Sequence, residues 1–497
     1  MRTVGVAFVP LAGTVGTLAA LNAVGFGEPG LLVLGGALCL TQARHAHRRS
    51  ALPAALARLP LVVLATAGLG LVFAHSTVAA DLLYLVVFAG ARMAWRLGPA
   101  WATVGRALLL PLVALFIAPQ VELARRPLVG IIQVAVACVV ATLWTTLVPR
   151  LWPENPPSVA PLATAARHAA RRPRAVRAVH AAGLALDGRL PPDATEARLA
   201  VLAVEHAAEQ GRDVEEPLTE ARAALATLPP YEPVQEVQPD SAVRAQVRTR
   251  LSLQGTTAVA LAFLVGQQLF GHHWPWTVIT VLTVSLRATS RGEVAVTATE
   301  RLLGALAGTV VATAVGAVAM PAPLPGTVLI LAVLGAGIAL RPYGYAWWAA
   351  AMTASLSLLY GLLGEPFGLH LLGERLLAIL VGGACAVLPA ALLAPVKTRA
   401  AVRRRVGATL RLLGAGLREG PTVQNTRAAD RALDLLRLRS RPLRLTARLR
   451  PTAEDRWART LLGCGPALHT ALLDPAAGTR ARLGATVRTV AADVKAP

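Results

Sequence analysis

Two stretches set an arginine at the head of an apolar run: TERLLGALAGTVVATAV at 299–315 and GERLLAILVGGACAVLP at 373–389. A guanidinium stays charged at any physiological pH and grips a carboxylate through two parallel hydrogen bonds. Arg301 and Arg375 are therefore candidate anion-binding groups, with the adjacent Glu300 and Glu374 as the competing partners. An ungapped offset of 74 residues (301 to 375) relates the copies and also carries Trp274 onto Trp348 and Gly308 onto Gly382. Trp274, Trp276 and Trp348 either belong to an interfacial aromatic belt or turn inward to stack on a planar substrate ring. Thr277 and Thr353 lie on the same runs as hydrogen-bond donors for a substrate, or as small polar residues for helix packing.

The first 150 residues add three more candidates. Arg58 precedes LPLVVLATAGLGLV, and Arg106 lies inside WATVGRALLLP, where it either lines a pathway or snorkels to the headgroups. Asp81, in TVAADLLYLVVF, is an acid inside an apolar run and a candidate proton-coupling group. Its alternative role is an ion pair with Arg125 or Arg126. His272 and His273, just before WPW, read as a polar turn.

Other chemistries are not supported. Cys39, Cys138, Cys385 and Cys464 show no CxxC or ligand spacing, so neither a metal site nor a cofactor is expected. No GxxxxGK[ST] loop occurs to drive an ATP-powered pump. Serine-containing strings such as ASLSLLY read as apolar helix rather than nucleophile elbow, and an enzyme is not expected.

The elements that position these residues must lie in lipid. Hydrophobic residues make up 55% of the 497 and charged residues only 15%, with a mean hydropathy of +0.55. A soluble chain carries about 25% charged residues. Apolar runs of roughly 15–25 residues, enough to cross a hydrocarbon core of about 30 Å, lie near 3–24, 29–43, 56–74, 77–93, 99–118 and 127–149. Six more lie near 252–270, 275–287, 301–320, 326–340, 345–362 and 374–395. The first is read as a span rather than a signal peptide because further spans follow. Arginines cluster in alternate short loops (Arg44, Arg48, Arg49; Arg92, Arg96; Arg287, Arg291; Arg341), which places both termini in the cytoplasm.

Arg301 and Arg375 then open spans three apart, running in opposite directions. A shift of 243 carries Arg58 onto Arg301, and one of 249 carries Arg126 onto Arg375. The expected fold is an all-α polytopic membrane protein of about 12 transmembrane helices. They form two six-helix halves, 1–149 and 251–395, each a 3+3 inverted repeat as in secondary transporters. A helical linker at 150–250 and a helical tail at 396–497 complete it, both cytoplasmic, with the cell membrane as the location.

The segment WPWTVITVLTVSLRATSRGEVAVTATERLLGALAGTVVATAV (274–315) resembles the signature region of the fusaric acid resistance and aromatic acid exporter family. An aromatic-led span, a short loop with Gly and then Arg-x-x-Gly-x-x-x-Gly carry the likeness, here Arg301, Gly304 and Gly308. In the first half Leu31 stands where the second half has Trp274. The six-span unit is also similar to that of plant aluminium-activated malate transporters. The resemblance implies a secondary exporter of aromatic or other hydrophobic organic acids driven by protons, or alternatively a passive organic-anion channel. A scaffold without transport would leave the arginines without a role.

The linker is charge-balanced, with 13 basic and 13 acidic residues in 150–250. The tail is not: 396–497 holds 21 basic and 7 acidic residues, +14 of the total +22. Its opening VKTRAAVRRR reads as a positive-inside anchor on anionic lipid. No nucleic-acid recognition motif accompanies the charge. In the linker, DATE (193–196) reads as a capping box with Asp193 as the cap. An organic anion is the expected substrate, and a homo-oligomer is possible.

Overall fold

The computed structural model describes residues 75–98, 158–228 and 242–495 with short gaps, together with scattered positions between 60 and 112. In chain order the helices are α1 (Thr77–Met93), α2 (Ala160–Arg171), α3 (Val176–Asp187), α4 (Thr195–Gln210), α5 (Glu215–Ala226) and α6 (Ala242–Phe270). Then come α7 (Pro275–Ser285), α8 (Arg291–Ala319), α9 (Pro323–Leu340), α10 (Tyr345–Leu362) and α11 (Leu369–Leu392). The tail supplies α12 (Thr398–Glu419), α13 (Val423–Thr446), α14 (Ala453–Leu462), α15 (Cys464–Leu473) and α16 (Thr479–Lys495). The described residues contain no strand. The chain divides into two compact units, Met1–Pro153 with Val237–Val396 and Glu154–Glu236 with Lys397–Pro497.

The first unit carries the membrane. Val78–Leu97, Ala245–Phe270, Arg291–Ala314 and Gly373–Leu392 are long and apolar enough to span a bilayer, and Pro275–Ser285 and Val328–Leu340 are shorter apolar helices. Of the expected runs, 77–93 and 345–362 coincide with α1 and α10. Those at 3–24, 29–43 and 127–149 lie outside the described residues. Two helices begin ten residues before their apolar runs, α6 at Ala242 and α8 at Arg291. Hydropathy marks where a chain meets lipid. A helix continues past that level, because its backbone hydrogen bonds do not depend on the side chains.

Large side chains fill the interior. Tyr84 and Phe88 of α1 are fully buried; Phe263 of α6 meets Tyr84 edge-on, with ring centroids 5.5 Å apart, and Trp274 lies 5.4 Å from Phe263. Leucines such as Leu264, Leu303 and Leu380 face outward, as a lipid-facing surface requires. Polar ties fasten α1 to α6: Arg92 donates to the Leu251 carbonyl at 2.8 Å, Arg96 to Thr249 at 2.8 Å, and Ser252 to the Arg92 carbonyl at 3.2 Å. Trp95 receives the guanidinium groups of Arg96 and Arg248 over its ring at 5.7 and 5.6 Å. Arg92 and Arg96, read from the sequence as loop charges, thus also clamp two helices together.

The second unit is built from two separated stretches of chain. Leu162, Val179, Val201, Val204 and Leu218 form an apolar core in the linker helices, and Val402, Leu413, Leu436, Leu461 and Leu483 form one in the tail. An ion network also joins the two stretches. Asp187 receives Arg198 at 2.8 Å and Arg431, and Glu205 faces Arg427 at 2.7 Å. Asp187, Glu205 and Arg427 are almost wholly buried, where single charges are tolerated only in such company. Burial works against a charged His469, yet its hydrogen bonds to the carboxylates of Asp430 and Glu209 push its pKa up to about 10.

The expected capping box is not formed. Thr195 opens α4 with Ala194 at the cap, and no side chain caps the helix. The Ala194 N–H bonds the Pro191 carbonyl and the Thr195 N–H bonds the Asp193 carbonyl. The turn after Pro191 thus moves the helix start one residue past where Asp193 would have to sit. Threonines do cap in the tail, Thr422 accepting from Asn425 N–H and Thr452 from Asp455 N–H.

Candidate functional site

Arg301 lies on α8 ten residues after its first residue, about 15 Å along the axis at about 1.5 Å per residue. It is therefore inside the helix rather than at its mouth. Its side chain is buried, with 4% exposure, and Nε has no hydrogen-bond partner among the described residues. Among the described residues no carboxylate forms an ion pair with it, Glu300 included. One and two turns on, Gly304 and Gly308 bring α8 against the backbone of α10. A Cβ at Gly304 would strike the Ala346 carbonyl, and one at Gly308 the Ala350 carbonyl. The Arg-x-x-Gly-x-x-x-Gly spacing sets all three residues near one helical face, so the arginine borders the tightest helix contact.

Arg375 is equally buried, at 6% exposure, and its surroundings are aromatic. Its Nη1 donates to Ser357 Oγ of α10 at 2.6 Å, and its guanidinium carbon lies 5.2 Å from the centre of the Trp276 ring. The His273 ring stacks on Trp276 with centroids 4.4 Å apart and planes 14° apart, and His273 Nδ1 lies 3.1 Å from Glu374 Oε1. A cation, a planar ring, an imidazole and a carboxylate thus meet around Trp276. Glycine again makes the approach possible. A Cβ on Gly382 of α11 would lie 2.6 Å from the Thr277 carbonyl of α7.

The other candidates divide. Trp274 and Trp276 are buried, at 8% and 5% exposure, and pack inward rather than forming a belt. Trp347 is the exposed tryptophan of the next group, while Trp348 is half-buried beneath the guanidinium of Arg341 at 5.7 Å. Thr277 and Thr353 are fully buried and their hydroxyls have no hydrogen-bond partner among the described residues, as is true of the Ser355 hydroxyl. Thr280, by contrast, bonds its own helix at the Trp276 carbonyl. Asp81 accepts from Gln267 Nε2 of α6 at 2.6 Å through Oδ2, while Oδ1 is buried without a partner. Arg125 and Arg126, the expected ion-pair partners of Asp81, lie outside the described residues, as do Arg58 and Arg106.

Sequence reasoning missed Ser357, Ser355 and the place of His273. The serines sit among apolar residues with no spacing to mark them. His273 is set by the turn Gly271–His273, where Gly271 takes a positive φ of 49°. Pro275 then starts α7 at a position that needs no backbone donor.

Comparison with known proteins bears on this same stretch. Residues 257–388, which include both Glu-Arg-Leu-Leu copies and the cluster around Trp276, match the family described as fusaric acid resistance protein-like. No curated protein and no solved structure matches the chain.

Proposed function

We propose that this protein is a secondary transporter that exports aromatic or other hydrophobic organic acids through the membrane unit, coupled to protons. The buried Arg301 carries the reading, because a guanidinium inside a bilayer-length helix without a hydrogen-bonding partner at Nε is costly to keep. A substrate carboxylate would offset that cost. Arg375 beside Trp276 supplies the complementary chemistry for the substrate's ring, a π-face and a cation within one contact distance. The hydroxyls of Thr277, Thr353 and Ser355 offer further donors. Asp81, with one carboxylate oxygen unpartnered, is the coupling group in this reading.

Helix packing supports the inverted repeat. The 74-residue offset exchanges α7 with α10 and α8 with α11. Gly308 packs α8 on α10, and its counterpart Gly382 packs α11 on α7. A pseudo-two-fold axis requires this exchange of partners. The reading keeps both termini in the cytoplasm.

Transport in vesicles tests it. Arg301→Gln or Arg375→Gln should lower the apparent affinity for an aromatic carboxylate by about 10- to 150-fold, the loss of one charge-assisted hydrogen bond of about 1.5–3 kcal/mol. Lysine at either position should keep part of it. Full recovery in the double variant Glu300→Gln with Arg301→Gln, at matched protein level, would reduce the arginine to a structural partner of Glu300. Accumulation against a gradient that collapses with a protonophore marks an exporter, and ohmic current without accumulation marks a channel.

A further inference from the structure

His180 of α3, Asp430 of α13 and His469 of α15 come together in the second unit, each offering a donor atom within 4.8 Å of the others. All three line one cavity of about 210 Å³. His469 Nε2 stands 3.1 Å from both oxygens of Asp430. Two donors of a tetrahedral ion with bonds of about 2.0–2.1 Å lie about 3.3 Å apart, so this pair already has the spacing of neighbouring ligands. The same contact serves as a hydrogen bond when the imidazole carries the proton instead.

The outer groups are arranged to match. His469 Nδ1 meets Glu209 Oε2 at 3.1 Å, and His180 Nδ1 meets Glu205 Oε2 at 2.9 Å. Each imidazole therefore has its Nδ1 held by a carboxylate outside the trio, which makes Nε2 the atom to ligate, and in His469 that atom faces Asp430. That is the carboxylate–histidine arrangement which orients metal ligands and raises their basicity. Arg427 lies 2.7 Å from Glu205 and 3.6 Å from Asp430. It balances part of the acid without engaging either histidine.

We propose that His180, His469 and Asp430 form a binding site for one divalent transition-metal ion, with Zn²⁺ the best-fitting member, and that the ion ties the linker helix α3 to the tail helices α13 and α15. Two imidazoles and a carboxylate suit zinc, cobalt or nickel rather than calcium or magnesium. The wider spacing to His180, at most 4.8 Å, must close by up to about 1.5 Å to reach the ligand spacing of about 3.3 Å, through rotation of a mostly buried ring. No cysteine is needed, which is why cysteine spacing did not reveal the site.

The test uses the full chain in detergent, purified without a polyhistidine tag, stripped with a chelator and titrated with Zn²⁺ or Co²⁺. One ion per chain is expected, with a rise in melting temperature and the visible absorption of low-symmetry cobalt. His180→Gln and His469→Gln should each weaken binding at least 100-fold, while His168→Gln, an exposed control on α2, should leave it unchanged. His180→Cys should retain binding and add thiolate-to-cobalt absorption, which a purely structural histidine would not produce. If His469→Gln fails to fold, the His180 pair decides. Overturning results are no stoichiometric binding, binding unaffected by His180→Gln, or a folded His180→Cys chain that binds no cobalt through sulfur.

Discussion

At the scale of single residues, Arg375, Asp81 and Arg301 of the membrane unit are each treated differently. Arg375 is given a hydroxyl and an indole, Asp81 an amide on one oxygen, and Arg301 neither an acid nor a bond at Nε. The contrast assigns separate tasks within the proposed cycle. If Asp81 exchanges protons, Asp81→Asn preserves the hydrogen bond with Gln267 in shape but holds no exchangeable charge. Uphill export should then fall to the level of passive leak while substrate binding, measured by tryptophan fluorescence, changes less than about threefold. An unaltered pH dependence of export in the variant would remove Asp81 from the coupling path.

Among the elements, glycine decides how near the arginine-bearing helices come to their neighbours. Gly308→Leu forces a side chain into the Ala350 carbonyl of α10. Such overpacking costs about 1–3 kcal/mol or more, and it pushes Arg301 away from its setting. Reduced thermal stability together with reduced transport is expected, with Gly373→Leu as the control because a Cβ at Gly373 meets nothing. Selective loss at Gly308 alone would show that the close approach, and not helix propensity, is what matters.

This level also shows what sequence can and cannot express. Helices α1 and α10 were legible to the residue because lipid contact and helix length coincide there. The starts of α6 and α8 were not, since their first turns are polar helix. The Glu-Arg-Leu-Leu repeat singled out Arg301 and Arg375 as anion-binding candidates, and the structure buries both side chains. It could not tell that Glu374 lies beside His273 and that Arg375 turns to Ser357, because those partners lie in other helices. His180 and His469 are separated by most of a membrane domain in sequence, and no local pattern announces that they meet.

At the scale of the whole molecule, orientation is the property on which the transport direction depends. In a background without Cys39, Cys138, Cys385 and Cys464, a cysteine at Pro323, the first residue of α9, should react with an impermeant thiol reagent from outside intact cells. A cysteine at Thr289 before α8 should react only after permeabilisation. The reverse pattern would invert the membrane unit and with it the proposed direction of transport.

The second unit closes only when both of its chain segments exist, and the ribosome makes them far apart in time. Between Glu236 and Lys397 lie the helices of the second membrane half. At about 5–20 residues per second they take roughly ten to thirty seconds to synthesise. Through that interval the linker has been made with Asp187 and Glu205 but without Arg427 and Arg431, and with His180 but without Asp430 or His469. Its acids then have only the partners made within the linker, Arg198 for Asp187 and His180 for Glu205. The linker thus waits as a half-finished domain until the last membrane helix has been made, and its closure records that the chain has been translated to its tail. A chain stopped before its tail would leave Asp187 without Arg431 and Glu205 without Arg427.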